Sequence, residues 1–391
     1  MTRYLLRQTL LSLVKLFLFA TVMFFLIQII IPGDFVDQFS LFMSNQERAD
    51  LRHHLGLDVP IWERYVRWLG QLVRLDLGYS FRGAPLVEVL KNAIPPTLLV
   101  FLIGTILAFL IGLWLGKVTA WRGSDFLSRV TTLGGITLFT SFPPFLVWLL
   151  ATILSDSQGY VVMGQLGGLN PRGYVGLDGG IWSGTEVSPT TITTNMIVTI
   201  VASGLFFVLL NGLLRRLFRR SIPTVLIVLL TVVSSIGLWF ALDIAPFAFN
   251  LLQISWLAIL AYTLLSFGET MLIMQGSMTD VLKEEYINTA HAKGVTAHDV
   301  REKHAARNAL LPVLSRFVIS LPYMITGVVI IESAVGWPGM GTTMWNALYW
   351  QDMPVVMAML LVVGLLALVA RLFLDVIIAY FDPRIRYESA T

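Results

Sequence analysis

The side chains in this chain that could do chemistry are few, and spacing rules most of them out. Gly112 and Gly116 precede Lys117 in the manner of a nucleotide-binding loop. Only three residues separate the glycines, however, and Val118 follows the lysine where a Ser or Thr would hold magnesium. His291, His298 and His304 share one stretch, but no two stand at the four-residue interval of a zinc-binding helix. The chain has no cysteine, which removes disulfides and thiolate metal sites together. Glu269 lies inside an apolar run, where an ionisable group could carry a proton. Arg371 and Asp375 stand four residues apart, so on a helix they share a face and can neutralise each other. No catalytic constellation, cofactor site or metal site emerges from these residues.

The richest polar segment is a loop over residues 278–312. Val281, Leu282, Tyr286, Ile287 and Ala290 recur at helical spacing, and Gly294 is a natural stop after Lys293. A second helix is expected over 297–310, with Pro312 marking the return toward the membrane. Two short amphipathic helices bury little by themselves, so their apolar faces need a partner. A helix lying on a membrane carries bulky apolar residues opposite many cations. Thr289, Ala290, Ala292 and Gly294 instead make a small, close-approach surface with the acidic Glu284 and Glu285 nearby. That favours a groove in another protein.

The elements that position this loop are membrane spans. Hydrophobic residues make up 56% of the 391 and charged residues 13%, against roughly 25% charged in a soluble domain. Eight apolar stretches approach or exceed the ~20 residues that cross a bilayer: 16–31, 97–116, 130–154, 196–214, 222–242, 247–274, 317–331 and 353–380. The first is read as a retained span rather than a signal peptide, because its apolar run is long and no small-residue cleavage site follows. Basic residues mark alternate connections: Arg3, Arg7 and Lys15, then Lys117, Arg122 and Arg129, then Arg215, Arg216, Arg219 and Arg220. Lys283, Lys293, Arg301, Lys303 and Arg307 follow, and Arg384 and Arg386 close the chain. The positive-inside rule then puts both termini and the 278–312 loop in the cytoplasm. The outer segments are 33–96, a Gly-, Ser- and Thr-rich stretch over 155–195, and 337–352. Trp337, Trp345 and Trp350 in the last suit an interfacial belt or contact with a docked partner.

The loop resembles the coupling region of permease subunits from dipeptide, oligopeptide and nickel ABC importers. The matching residues are Tyr286, Thr289, Ala290, Ala292, Lys293 and Gly294, followed by His304, Ala305, Asn308, Leu310, Leu311 and Pro312. Pro32-Gly33-Asp34, Leu55-Gly56-Leu57-Asp58, Asp76-Leu77-Gly78, Trp337-Pro338-Gly339-Met340-Gly341 and Asp382-Pro383-Arg384 extend the likeness toward both ends. The resemblance implies an all-α polytopic membrane protein with a type I ABC-importer permease fold and no ATPase site of its own. It implies that Glu285, Tyr286, Thr289, Ala290, Ala292, Lys293, Gly294, His304, Asn308 and Pro312 couple to the ATPase. The implied partners are a second homologous permease, two cytoplasmic ABC ATPase subunits that bind ATP and magnesium, and an extracytoplasmic substrate-binding protein. The lipid bilayer of a bacterial or archaeal cell membrane is the setting, and nucleic acid is not among the partners.

The expected organisation is a first span over 1–31, an extracytoplasmic region over 32–96, and spans two and three over 97–154. An inserted outer loop plus extra hairpin follows over 155–246, then a permease core over 247–391. Family members look six-spanning, so the hairpin is expected to pack peripherally. The competing function is an ion-coupled secondary transporter working through Glu269.

Overall fold

The computed structural model describes residues 2–30, 33–123, 125–154, 188–218 and 222–381. The helices are α1 (Thr2–Ile30), α2 (Asn45–His54), α3 (Ile61–Val73), α4 (Leu86–Arg122), α5 (Phe126–Thr140), α6 (Pro143–Leu154) and α7 (Pro189–Phe218). They continue as α8 (Thr224–Ala241), α9 (Ala245–Val281), α10 (Glu285–Ala292), α11 (Ala297–Asp299), α12 (Ala306–Val335), α13 (Met340–Tyr349) and α14 (Met353–Phe381). All eight apolar stretches overlap helices. Among the described residues four helices are by themselves long and apolar enough to cross a membrane, and the bent pair α5–α6, taken as one span, makes a fifth. The described apolar parts of α8 and α14 are shorter, Leu226–Ala241 and Met353–Val369. Residues 155–187 and the Arg371–Asp375 side chains lie outside what is described.

The centre of the bundle is the pair α4 and α9, each of 37 residues. At 1.5 Å per residue each is about 55 Å long, well beyond a hydrocarbon core of about 30 Å. Small residues let the two backbones close up. A Cβ at Gly112 would stand 2.7 Å from the Phe267 carbonyl, and one at Gly116 would stand 2.7 Å from that of Met271. Without a hydrophobic drive between helices in lipid, this close packing is what holds such helices together. Tyr262 fills the next layer and shares a hydrogen bond of 3.0 Å with Thr105.

The third apolar stretch departs from the single helix expected over 130–154. It breaks at Ser141 into α5 and α6, which meet at 113°. Ser141 is extended, with ψ 148°. Pro143 explains the break, since it disfavours the helical region at Phe142 just before it and supplies no N–H to continue α5. The seventh stretch is longer than expected, running over α12 from Ala306 to Val335. Pro312 therefore lies inside a helix rather than at its end.

The hairpin α7–α8 is peripheral only along part of its length. Leu205, Phe206, Leu209 and Leu217 of α7 and Val233 of α8 are exposed. At the other end Ile192, Met196 and Trp239 are buried in the main core with Leu99 and Leu251. There the Trp239 indole donates to Thr199 Oγ1 at 2.8 Å.

The end of the bundle away from α10 is closed by loops pinned on acidic side chains. Arg52 donates to Asp34 at 2.7 Å and also pairs with Asp37. Asp34 in turn caps the backbone N–H groups of Val36 and Asp37. Asp352, 2% exposed, accepts from Ser80 and from the Phe81 N–H. Glu332 is fully buried at the end of α12. Its Oε2 accepts from Thr97 Oγ1 and from the Gly341 N–H, both at 2.9 Å. Thr97 accepts from the Met340 N–H at 2.7 Å. Trp337 is buried too, its indole donating to the Pro96 carbonyl at 3.1 Å. It is a core residue of this closure, not a member of an interfacial belt, whereas Trp345 and Trp350 are exposed.

Candidate coupling face

Between α9 and α12 the chain makes a compact knuckle. Helix α10 starts at Glu284, whose backbone is extended, and Glu285 lies in its first turn, where the helix dipole favours negative charge. It ends at Gly294, where φ is +76°, a conformation costly for any residue with a Cβ. The Gly294 N–H reaches the His291 carbonyl at 3.0 Å and the Val295 N–H reaches that of Ala290 at 3.2 Å, closing the helix end. Thr296 then caps the next element by accepting from the Asp299 N–H at 3.2 Å. The chain passes through α11 and a π-helical turn, Val300–Ala305, directly into α12. The second helix expected to stop near Leu310 thus has no end there.

Of the expected apolar stripe, only Tyr286 of α10 is left in the open. Ile287 and Ala290, 2% and 7% exposed, pack into a cluster with Met274, Met278, Val300, Ala305 and Ala309. Burying an isoleucine this fully stabilises by about 1.5–3 kcal/mol, so α10 is anchored on its own chain. Lys117 at the end of α4 donates to Glu302 Oε2 at 2.7 Å, and Arg301 donates to Oε1 at 2.9 Å. Burial pushes the Glu302 carboxyl up, but the Lys117 and Arg301 cations outweigh it and hold it below the usual carboxylate range. On the outer side, Lys303 bonds Asp299 at 2.8 Å and holds that carboxyl down.

What faces outward is a different set. Glu285, Tyr286, Thr289, Ala292, Lys293 and Gly294 are exposed, as are His304, Asn308 and Pro312. The last three stand four apart, so they line one face of the helix that leaves the knuckle. Asn308 Nδ2 donates to the Tyr286 hydroxyl at 2.6 Å and joins that face to α10. Nine of the ten residues expected from the sequence to couple are therefore exposed, Tyr286 and Asn308 among them in contact, and Ala290 is turned inward. Sequence reasoning missed the underpinning: Lys117, read only as one of the basic residues that mark a connection, is the tie between α4 and the π-helical turn. Its partner lies 185 residues away, beyond the reach of local spacing.

A rigid knuckle with an outward patch of small, polar and charged side chains suits docking onto another protein. Residues 196–387 match the model of the binding-protein-dependent transport system inner membrane component, and residues 1–100 match the model of the N-terminal part of such membrane components. The chain is 29% identical to the oligopeptide transport system permease protein AppB of Bacillus subtilis, over 99% of this chain and 100% of that protein. It is 30% identical to a putative peptide permease protein of Brucella suis, over 99% of each. It is 26% identical to a probable peptide ABC transporter permease protein of Sinorhizobium fredii, over 88% of this chain and 86% of that one. The chain belongs to the family of binding-protein-dependent transport system inner membrane components, as an integral inner-membrane permease subunit of an ABC importer.

Proposed function

We propose that this permease forms half of a pathway for peptides or similar small solutes, and that its α10 face seats in a groove of a cytoplasmic ATPase subunit. The other half of the pathway comes from a second permease, either a homologue or another copy of this chain. An extracytoplasmic binding protein delivers the solute. Two ATPase subunits bind ATP and magnesium and draw the coupling faces together as they close. Both chain termini and the knuckle are then on the cytoplasmic side, in keeping with the Lys and Arg of the alternate connections. Glu285, Tyr286, Thr289, Ala292, Lys293, Gly294, His304, Asn308 and Pro312 make the contact, and Ala290 holds the helix that carries it.

The observation that carries this reading is the division of α10 into a buried inner side and an exposed outer side. A docking helix must transmit a displacement, so it must be fixed to the body it moves. The hydrogen-bonded ends of α10, the Ile287 and Ala290 contacts and the Lys117–Glu302 tie meet that requirement. Because the chain lacks cysteine, Thr289→Cys or Lys293→Cys places a unique thiol on the face. In membranes holding the whole transport system, a bifunctional thiol reagent is expected to join either one to an ATPase subunit, with a yield that changes when ATP is added. Failure to cross-link at every exposed position of α10, in a complex that still transports, would remove the assignment.

A further inference from the structure

The break between α5 and α6 opens onto a cavity of about 500 Å³ shared with α9 and α12. Ser141 and Pro143 come from the break, Tyr262 and Glu269 from α9, and Arg316 and Ser320 from α12. Glu269 lies 12 residues before the end of α9 and Arg316 10 residues after the start of α12. At 1.5 Å per residue these positions are about 18 Å and 15 Å into the bundle from the α10 end. Non-helical backbone at such a depth is tolerated only where it is buried in protein or lines a cavity. Ionisable side chains within spans likewise face a pathway or a partner rather than lipid.

The two charges are close without being joined. Arg316 Nε stands 3.7 Å from Glu269 Oε1, with side chains 60% and 21% exposed. At that separation there is attraction but no hydrogen bond. Structural pairs such as Lys117 with Glu302 and Arg52 with Asp34 close to 2.7 Å. The guanidinium, with five donors in a fork suited to a carboxylate, keeps its bonding capacity. Glu269 keeps two oxygens that can accept from an ammonium. A cation, an anion and hydroxyl groups around one cavity are what a small molecule bearing both charges needs.

We infer that this cavity is a subsite of the translocation pathway for short zwitterionic peptides, with Arg316 taking the free carboxylate and Glu269 the free ammonium. The inference rests on the permease function proposed above and adds the charge pattern of the cargo. It also gives Glu269 a role other than that of a lone proton carrier. A dipeptide spans at most about 7 Å when extended, in scale with a cavity of about 500 Å³.

The test uses the whole transport complex with Ser141→Cys as its only permease thiol. Dialanine is expected to slow maleimide labelling of that thiol, and N-acetyl-dialanine amide is not. Combining Ser141→Cys with Arg316→Gln should raise the dialanine concentration needed for protection about tenfold or more, the loss expected for a charge-assisted bond. Uptake of labelled dialanine should fall in Arg316→Gln and in Glu269→Gln while ATP hydrolysis continues. Equal protection by the free and the blocked peptide would overturn the inference. So would full uptake by the doubly neutral variant (E269Q with R316Q), which leaves no ion pair to break and no charge to bind either end of the peptide. Absence of ATP-driven uptake in the unsubstituted complex would instead strike the permease function. The two failures are therefore separable.

Discussion

The turn at residues 337–341 and helix α10 both belong to segments that carry the family likeness, yet they are built in opposite ways. The turn is closed on itself: Glu332, Thr97, Trp337 and Met340 are buried and bonded to one another. Helix α10 turns Ile287 and Ala290 inward and keeps Ala292 and its polar and charged residues in the open. Similar-looking short motifs can thus serve two purposes. One fixes an end of the bundle, and the other presents a surface whose fixing lies underneath it. Substitutions in the first should act on stability, and those in the second on coupling.

The largest effect is expected at Gly341. A Cβ there would stand 1.9 Å from the Val329 carbonyl oxygen and 2.7 Å from its carbon, and backbone atoms cannot step aside as a side chain can. Gly341→Ala should cost about 3 kcal/mol or more, at the upper end of overpacking penalties. The permease should then reach the membrane in much reduced amount and unfold at lower temperature in detergent. An unchanged melting temperature would mean that the turn is not the rigid closure described.

Helix α10 allows the two kinds of effect to be separated one residue apart. Thr289→Arg adds bulk and charge to the exposed side and should leave thermal unfolding within about 0.5 kcal/mol of the parent, as for surface substitutions generally. ATP-driven uptake should nevertheless fall at least tenfold. Ala290→Arg pushes a guanidinium into the cluster of Met278, Val300 and Ala309, so it should lower stability first and uptake as a consequence. If both variants lose uptake and stability in parallel, α10 does not have separate anchoring and docking sides.

This separation also marks how far the sequence could be read. The all-helical membrane fold was legible because spans are long and lipid tolerates few charges. The exposed coupling residues were legible through family likeness. Three features were not. The inward turn of Ala290 depends on Val300 and Ala309, which approach it only because the chain continues through a π-helical turn. The 113° break at Ser141 was signalled by Pro143-Pro144, but apolarity continuing through 154 masked it. The approach of Arg316 to Glu269 joins residues 47 apart in sequence, and two lone charges in separate spans gave no hint of a shared cavity.

A smaller effect is expected from Thr97→Val, which keeps the shape of the side chain and removes its hydroxyl. Glu332 would lose a donor and the buried Met340 N–H its acceptor. Leaving such groups unpaired costs about 1–3 kcal/mol. Uptake per folded molecule should stay at the parental level, measured as transport normalised to permease that survives mild heating. A fall in normalised uptake with no loss of stability would make the closed end a working part of the pathway.

The smallest effect concerns the tie beneath α10, and pH gives it a signature. Lys117→Met removes the main cation holding Glu302 ionised, at a pair whose side chains are 25% and 29% exposed. The quarter or so of each side chain that stays exposed lets water screen the pair, so the expected loss at neutral pH is about 1 kcal/mol. Glu302 is held below its unfolded value in the folded protein. Its contribution is therefore full above the unfolded carboxyl pKa of about 4.3 and is lost as pH falls through the lower folded value. Stability curves of parent and variant should run apart at neutral pH and converge in acid. Curves that stay separated at acid pH would show that Lys117 supports the knuckle through its packed methylenes rather than its charge. The tie would then resemble the closed end of the bundle more than a polar brace beneath a docking face.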